Sequence, residues 1–230
     1  KIMASNFASV PAIILHNVRL QWGDLFTPAA MDDNGKPGVP KFKAVGLFAK
    51  DSDAMAVARK GLVDAATAMW GGNAMSVIPQ ISSNSKFVRD GNSKLMDDGS
   101  VRPEFKDLFF VSCSNKQRPQ IIAPKKHNGQ WVTITEAGRG MVNGIDVTDQ
   151  LGYAIKVPYR GCYVNLKLTP TAGKQFQTPD GKTIPNQVYA KLEAVQFVGD
   201  GEAFGAGPTS AEGFGEEAVD ESTVDANALF

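Results

Sequence analysis

No lysine or arginine occurs after Lys191. The formal charge of the 230-residue chain is zero, yet residues 1–191 carry +9 and residues 192–230 carry −9. This segregation divides what can pack from what cannot. From Gly199 to Gly215 glycine recurs at Gly201, Gly205, Gly207 and Gly213, and residues 216–230 combine acids with few large apolar side chains. Such a stretch cannot bury enough apolar surface to offset the entropy of ordering it. The expected layout is a folded body over residues 1–198, a Gly-rich flexible linker over 199–215 and a disordered acidic tail over 216–230.

The body reads as mainly β with one substantial helix. Ala12 to Trp22, Lys41 to Ala49, Phe105 to Cys113, Trp131 to Thr135, Tyr153 to Leu168 and Val188 to Val198 are rich in β-branched and aromatic residues. Turn pairs such as Asp98-Gly99, Asn128-Gly129 and Asp180-Gly181 punctuate them. In the second run Phe42, Ala44, Gly46 and Phe48 fall opposite Lys41, Lys43, Val45 and Leu47, a strand with two faces. The helix is expected from a cap at Asp51 or Ser52 to about Trp70. Met55, Ala58, Leu62, Ala65, Ala66 and Met69 form its apolar stripe, and Gly71-Gly72 stops it. The long segment from Gly71 to Glu104 reads as loops.

The chemistry-bearing residues are sparse. The two histidines, His16 and His127, have no metal-ligand neighbours, and neither a P-loop nor a strand-borne G-x-G-x-x-G is present. Cys113 and Cys162 each lie in an apolar run, as small buried hydrophobes do, and scarce cysteine fits a reducing compartment. No apolar run approaches the roughly 18–20 residues of a membrane helix. The expectation is a non-enzymatic protein with no cofactor, metal or membrane partner.

Binding signals are stronger. The stretch Tyr153 to Leu168 interleaves Tyr153, Lys156, Tyr159, Arg160, Tyr163 and Lys167 with apolar residues. After Gly161, Cys162, Val164, Leu166 and Leu168 would face a core while Tyr163, Asn165 and Lys167 face out. Rings stack on bases, amides read base edges and ammonium groups meet phosphates, so this row suits a single strand; an ordinary solvated strand face fits it equally. Lys41 and Lys43 share a strand face. Arg118, Lys125 and Lys126 lead towards Trp131, as a basic loop that would serve nucleic acid or simply solubility. Lys86, Phe87 and Arg89 make a weaker trio. On a +9 body, the sum of these clusters points to a polyanion. In the tail, Glu216, Glu217, Asp220, Glu221 and Asp225 precede Phe230, an arrangement suited to an aromatic anchor with an acidic surround for a basic-rimmed partner pocket.

A basic body, a glycine-rich linker and an acidic Phe-ended tail resemble the single-stranded DNA-binding proteins of tailed phages. The segments Tyr159 to Asn165 and Leu192 to Val198 are similar to a phage family related to these proteins. The resemblance implies an OB-type five-stranded β-barrel and sequence-independent binding of single-stranded DNA, with roles in DNA replication, recombination and repair. It implies tail contacts with replication proteins such as DNA polymerase or helicase-primase, homodimers, and a place in the cytoplasm of the bacterial host. It also makes Tyr159, Arg160 and Tyr163 candidate DNA contacts, and Phe230 with the tail acids a partner-binding site. The rival readings are an RNA- or duplex-binding protein, a phage structural or assembly protein and, more distantly, a metal-dependent nuclease.

Overall fold

The structure, a computed structural model, describes residues 6–31, 37–178 and 181–204. Thirteen strands and two helices occur among them: β1 (Phe7–Ser9), β2 (Ile13–Met31), β3 (Pro37–Phe48), α1 (Asp53–Trp70), α2 (Ala74–Val77), β4 (Val88–Asp90), β5 (Phe109–Asn115), β6 (Gln120–His127), β7 (Gln130–Ile134), β8 (Gly140–Val142), β9 (Ile145–Asp146), β10 (Tyr163–Gly173), β11 (Phe176–Gln177), β12 (Thr183–Ile184) and β13 (Gln187–Gly199). The expected fold class, mainly β with one substantial helix, is what forms.

One eleven-stranded sheet runs β4-β5-β3-β2-β10-β13-β6-β7-β8-β9, with β1 pairing the far end of β10. Its ladder does not close into a barrel. The C-terminal part of β13 is paired in parallel by β6 (Ala194 opposite Gln120), so that edge is not available to β5. The centre nevertheless bends round. Phe87 accepts from the Ser112 N–H at 2.8 Å and donates to the Val188 carbonyl at 2.8 Å, so β5 and β13 meet across one bridging segment. Phe87 is 1% exposed and joins the main core inside this bend with Leu15, Val111, Val164, Leu166, Leu168 and Leu192.

Helix α1 closes the open end of the core. Ser52 caps it, accepting the Met55 N–H at 3.2 Å, and Gly71 ends it at a φ of +56° with its N–H on the Thr67 carbonyl. Met55, Ala58, Leu62, Ala65 and Ala66 of the expected stripe are buried, with Ala54 beside them, and Met69 is half-buried against the core. Gly61 allows the close approach: a Cβ there would stand 2.8 Å from Ile13 Cδ1 and 3.1 Å from Pro170 Cγ.

Four expectations change. Residues 153–162 are not strand, because Pro158 offers no N–H and Gly161 adopts a φ of +105°, which ends the extended run. The expected basic loop at Lys125-Lys126 is strand: Asn128 and Gly129, at φ +47° and +79°, make the two-residue turn that matches strand twist, and β6 and β7 form a hairpin about it. The segment after Gly71 holds α2, β4 and short 3-10 turns. Finally, the packed body extends past residue 198. The acidic tail, Glu216 to Phe230, and residues 205–215 of the linker lie outside the described residues.

Candidate nucleic-acid interface

The alternation of β3 sets the site. Phe42 and Ala44 are buried, which turns Lys41, Lys43 and Val45 to the outer face. On β2 a register shift between Leu20 and Trp22 places Trp22 opposite Val45, on the same side. Across β5, Phe110 points outward and would be exposed, but Phe105 folds back onto it edge-on, with centroids 5.3 Å apart. With Leu47 these two rings form a small second core outside the sheet. This outer core is a wall. Between it and Trp22 lies a groove of about 470 Å³.

Cations and rings interleave in that groove. Lys43, Arg89, Lys94, Arg102 and Arg160 line it, against Asp24 and Glu104. Trp22 is 43% exposed, enough ring surface to be reached from solvent. Its Nε1 donates to Asp24 Oδ2 at 3.0 Å, and the Arg160 guanidinium stands 5.3 Å from its ring centroid. Arg160 is itself aimed by its Nε, which donates to the Gln21 carbonyl at 2.9 Å. Arg89 and Lys94 sit over Phe110 at 5.5 and 5.4 Å.

The groove continues. Arg89 and Ser112 also line a 140 Å³ cleft with Lys86, and that cleft shares Ser114 and Tyr189 with a 450 Å³ hollow lined by Lys41, Lys116 and Lys191. The three make one track across the outer face of β3 and β5 to the start of β13. Nine cationic side chains line it and two carboxylates, both in the first groove.

The residues singled out in the sequence fall into three places. Lys41, Lys43 and Arg160 are on the track. Lys125, Lys126, Trp131, Tyr153 and Lys167 gather about the β6–β7 hairpin, with Lys126 and Trp131 on one face and Lys125 with Tyr153 on the other: Lys126 lies 5.1 Å from the Trp131 centroid, Lys125 lies 5.8 Å from that of Tyr153, and the Tyr153 hydroxyl donates to the Lys125 carbonyl. Lys167 pairs with Glu193 at 3.3 Å. Asn165, expected to read a base edge, is occupied: it accepts the Asn17 N–H at 2.9 Å and donates to Gln196 at 2.8 Å. Arg118 lies over Phe26 at 5.3 Å, between the two regions in sequence.

Lys156, Tyr159 and Tyr163 serve the third place, a strap formed by residues 200–204. Lys156 pairs with Asp200. The bond raises the pKa of the lysine and lowers that of the carboxyl. The Tyr159 ring is half-buried against the core, and its hydroxyl accepts the Gly201 N–H at 3.1 Å and donates to the Gly201 carbonyl at 2.9 Å. Tyr163 lies against Gly201, where an added Cβ would be 3.1 Å from its ring. Arg19 completes the clasp, with Nη2 donating to the Glu202 carbonyl at 2.7 Å and its guanidinium 4.1 Å from the Phe204 centroid. The part of the linker that was expected to be flexible is therefore docked as far as Phe204.

Sequence reading missed Trp22, Lys94, Arg102, Tyr189 and Lys191. Trp22 ended an expected strand and Arg102 and Lys94 lie in a polar segment, so only the pairing of β2 with β3 and the fold-back of Phe105 bring them together.

A curled, mostly antiparallel sheet thus carries a cation-lined track beside an exposed tryptophan, with the charge and shape to take an extended polyanion. The chain belongs to the family described as the single-stranded DNA-binding protein of Enterobacter phage Enc34, which it matches over residues 11–224. It is 30% identical to protein p50 of Acyrthosiphon pisum secondary endosymbiont phage 1 over 214 residues, 91% of this chain and 95% of that one. Its fold is similar to the single-stranded DNA-binding protein of bacteriophage Enc34 in complex with ssDNA, with a TM-score of 0.54, 18% identity, and 84% and 89% of the two chains covered. A second structure of the Enc34 single-stranded DNA-binding protein gives a TM-score of 0.53 at 18% identity, with 86% and 87% covered.

Proposed function

We propose that this protein coats single-stranded DNA without regard to sequence, holding the strand in the track that runs from Trp22 and Arg160 to Tyr189 and Lys191. The observation that carries the reading is the first groove, where five cations surround the exposed ring of Trp22. Phosphate neutralisation supplies most of the affinity, and bases stacked on aromatic rings add roughly 1–3 kcal/mol each. Trp22 is the principal platform because Asp24 and Arg160 fix its ring before the strand arrives, so little rotamer entropy is lost on binding.

The reading extends to the fold. Strands β2, β3, β5, β10 and β13 form the five-stranded core of a partly open OB-type barrel, with Phe87 bridging the gap, and the track lies over its second and third strands, the face such folds use for oligonucleotides. It extends also to the acidic segment. Phe204 is docked at one end of the track beside Arg160, whose carbonyl accepts its N–H at 3.2 Å. On this reading the acids beyond it in the sequence compete with phosphate for the cations, and with Phe230 they recruit replication proteins such as a polymerase or helicase-primase. On this reading the protein acts in phage DNA replication and recombination in the host cytoplasm.

The test is competition for a labelled oligo(dT). Unlabelled single-stranded DNA should displace it at far lower concentration than duplex or RNA of equal length. Equal displacement by RNA would move the assignment to general polynucleotide binding, and no binding of any of them would refute it.

A further inference from the structure

A second recess lies on the outer face of the central strands, apart from the track. It encloses about 490 Å³ and is the most apolar of the recesses described, with Ile14, Ile122 and Ala194 as its floor and Trp131 at its side. Trp131 and Ile14 are 47% and 44% exposed, large apolar side chains open to solvent on one surface. Folding does not require this exposure, and it costs solvation. Lys126 stands over the Trp131 ring, and neither Lys125 nor Lys126 has an ion-pair partner among the described residues.

The recess begins where the track stops. On β13 the outward residues Lys191 and Glu193 are two positions apart on one face: Lys191 lines the last hollow of the track and Glu193 lines the recess. The connection from β5 to β6 repeats the link. Gln117 lines the hollow and Gln120 lines the recess, with Arg118 exposed between them. A strand leaving the track at Lys191 is thus delivered to an apolar slot with Lys126 over its Trp131 wall and the Lys167–Glu193 pair at its side.

We propose that this recess is a second nucleobase-binding slot, reached only by strands long enough to run past Lys191. It rests on the single-strand reading above. Unstacked bases fill the apolar floor and stack on Trp131, while Lys126, beside that ring, meets the adjacent phosphate. Asn165 and Gln196 are bonded to each other and to the backbone, so the slot accepts any base.

Full-length Trp131→Ala protein and wild type are titrated with oligo(dT) of about 8 and about 30 nucleotides, lengths chosen around the roughly 4–16 that one OB fold covers. Affinity for the long strand should fall about fivefold or more in the variant, the loss of one stacked base, while the short strand binds as before. Lys126→Gln should lower the salt slope by about 0.7 on the long strand and leave it unchanged on the short one. Trp131→Phe should restore long-strand binding. Unchanged long-strand affinity in Trp131→Ala, with circular dichroism intact, overturns the slot. So does a variant that loses only self-association, which would make the recess a contact between copies. Failure of the wild type to bind either length overturns the single-strand reading itself.

Discussion

Trp22 has a defined task in this account, because its two polar neighbours fix the ring and leave it exposed. Trp22→Ala should weaken oligo(dT) binding by about 1–3 kcal/mol with circular dichroism unchanged, since an exposed ring leaves no cavity. Tyr159→Ala belongs to a different class of residue. Its ring is packed on the core and its hydroxyl holds Gly201, so its loss should free the strap to protease near residues 200–204 before it affects a short strand. The sequence offered Tyr159 and Tyr163 as stacking rings because they alternate with basic residues; Gly161 at a φ of +105° breaks that alternation. The cysteines are a simpler case. Burial pushes the Cys113 thiol up to about 12 and Cys162 to about 11, so both should resist alkylation at about pH 8 until the protein is unfolded. Modification of the native protein at rates typical of a free thiol would contradict this.

At the scale of elements, what the sequence revealed depended on how local the cause is. Helix α1 was legible to its cap and its buried face, because Ser52, the apolar spacing and Gly71 act within one segment. The outward row of β3 was legible for the same reason. The track was not, because its walls come from β2, β3, the segment after β4, the fold-back at Phe105 and Arg160, which only tertiary pairing assembles. The strap shows how finely such assembly is set. A Cβ on Gly161 would stand 2.1 Å from the Glu202 carbonyl. Gly161→Ala should therefore displace the strap and destabilise the protein by about 1–3 kcal/mol through the strained φ, read as a lower urea midpoint. The hairpin of β8 and β9 carries a pH signature. Hydrogen bonds from Thr148 and Arg139 hold the Asp146 carboxyl at about 2. A folded pKa below the unfolded one, about 3.9, adds stability above that pH and loses it as pH falls towards 2. Amide protection factors in 140–148, corrected for the intrinsic exchange rate, should fall between about pH 4 and pH 2, and Asp146→Asn should remove that pH dependence.

At the scale of the molecule, the zero net charge conceals two opposed fields. Deleting residues 216–230 removes five acids, Glu216, Glu217, Asp220, Glu221 and Asp225, and should raise affinity for DNA, most at low salt where screening is weakest. Phe230→Ala keeps those acids and should leave DNA affinity unchanged while weakening capture of a replication partner. The central claim is that the cations of the track meet phosphates, and the salt dependence of binding tests it most directly. For the wild type, the logarithm of the oligo(dT) association constant should fall linearly with the logarithm of salt concentration, by about 0.7 for each phosphate neutralised. The triple variant Lys41→Gln, Lys43→Gln and Lys191→Gln should bind more weakly with a slope shallower by about 2. A variant with wild-type affinity and slope would mean that the strand lies elsewhere.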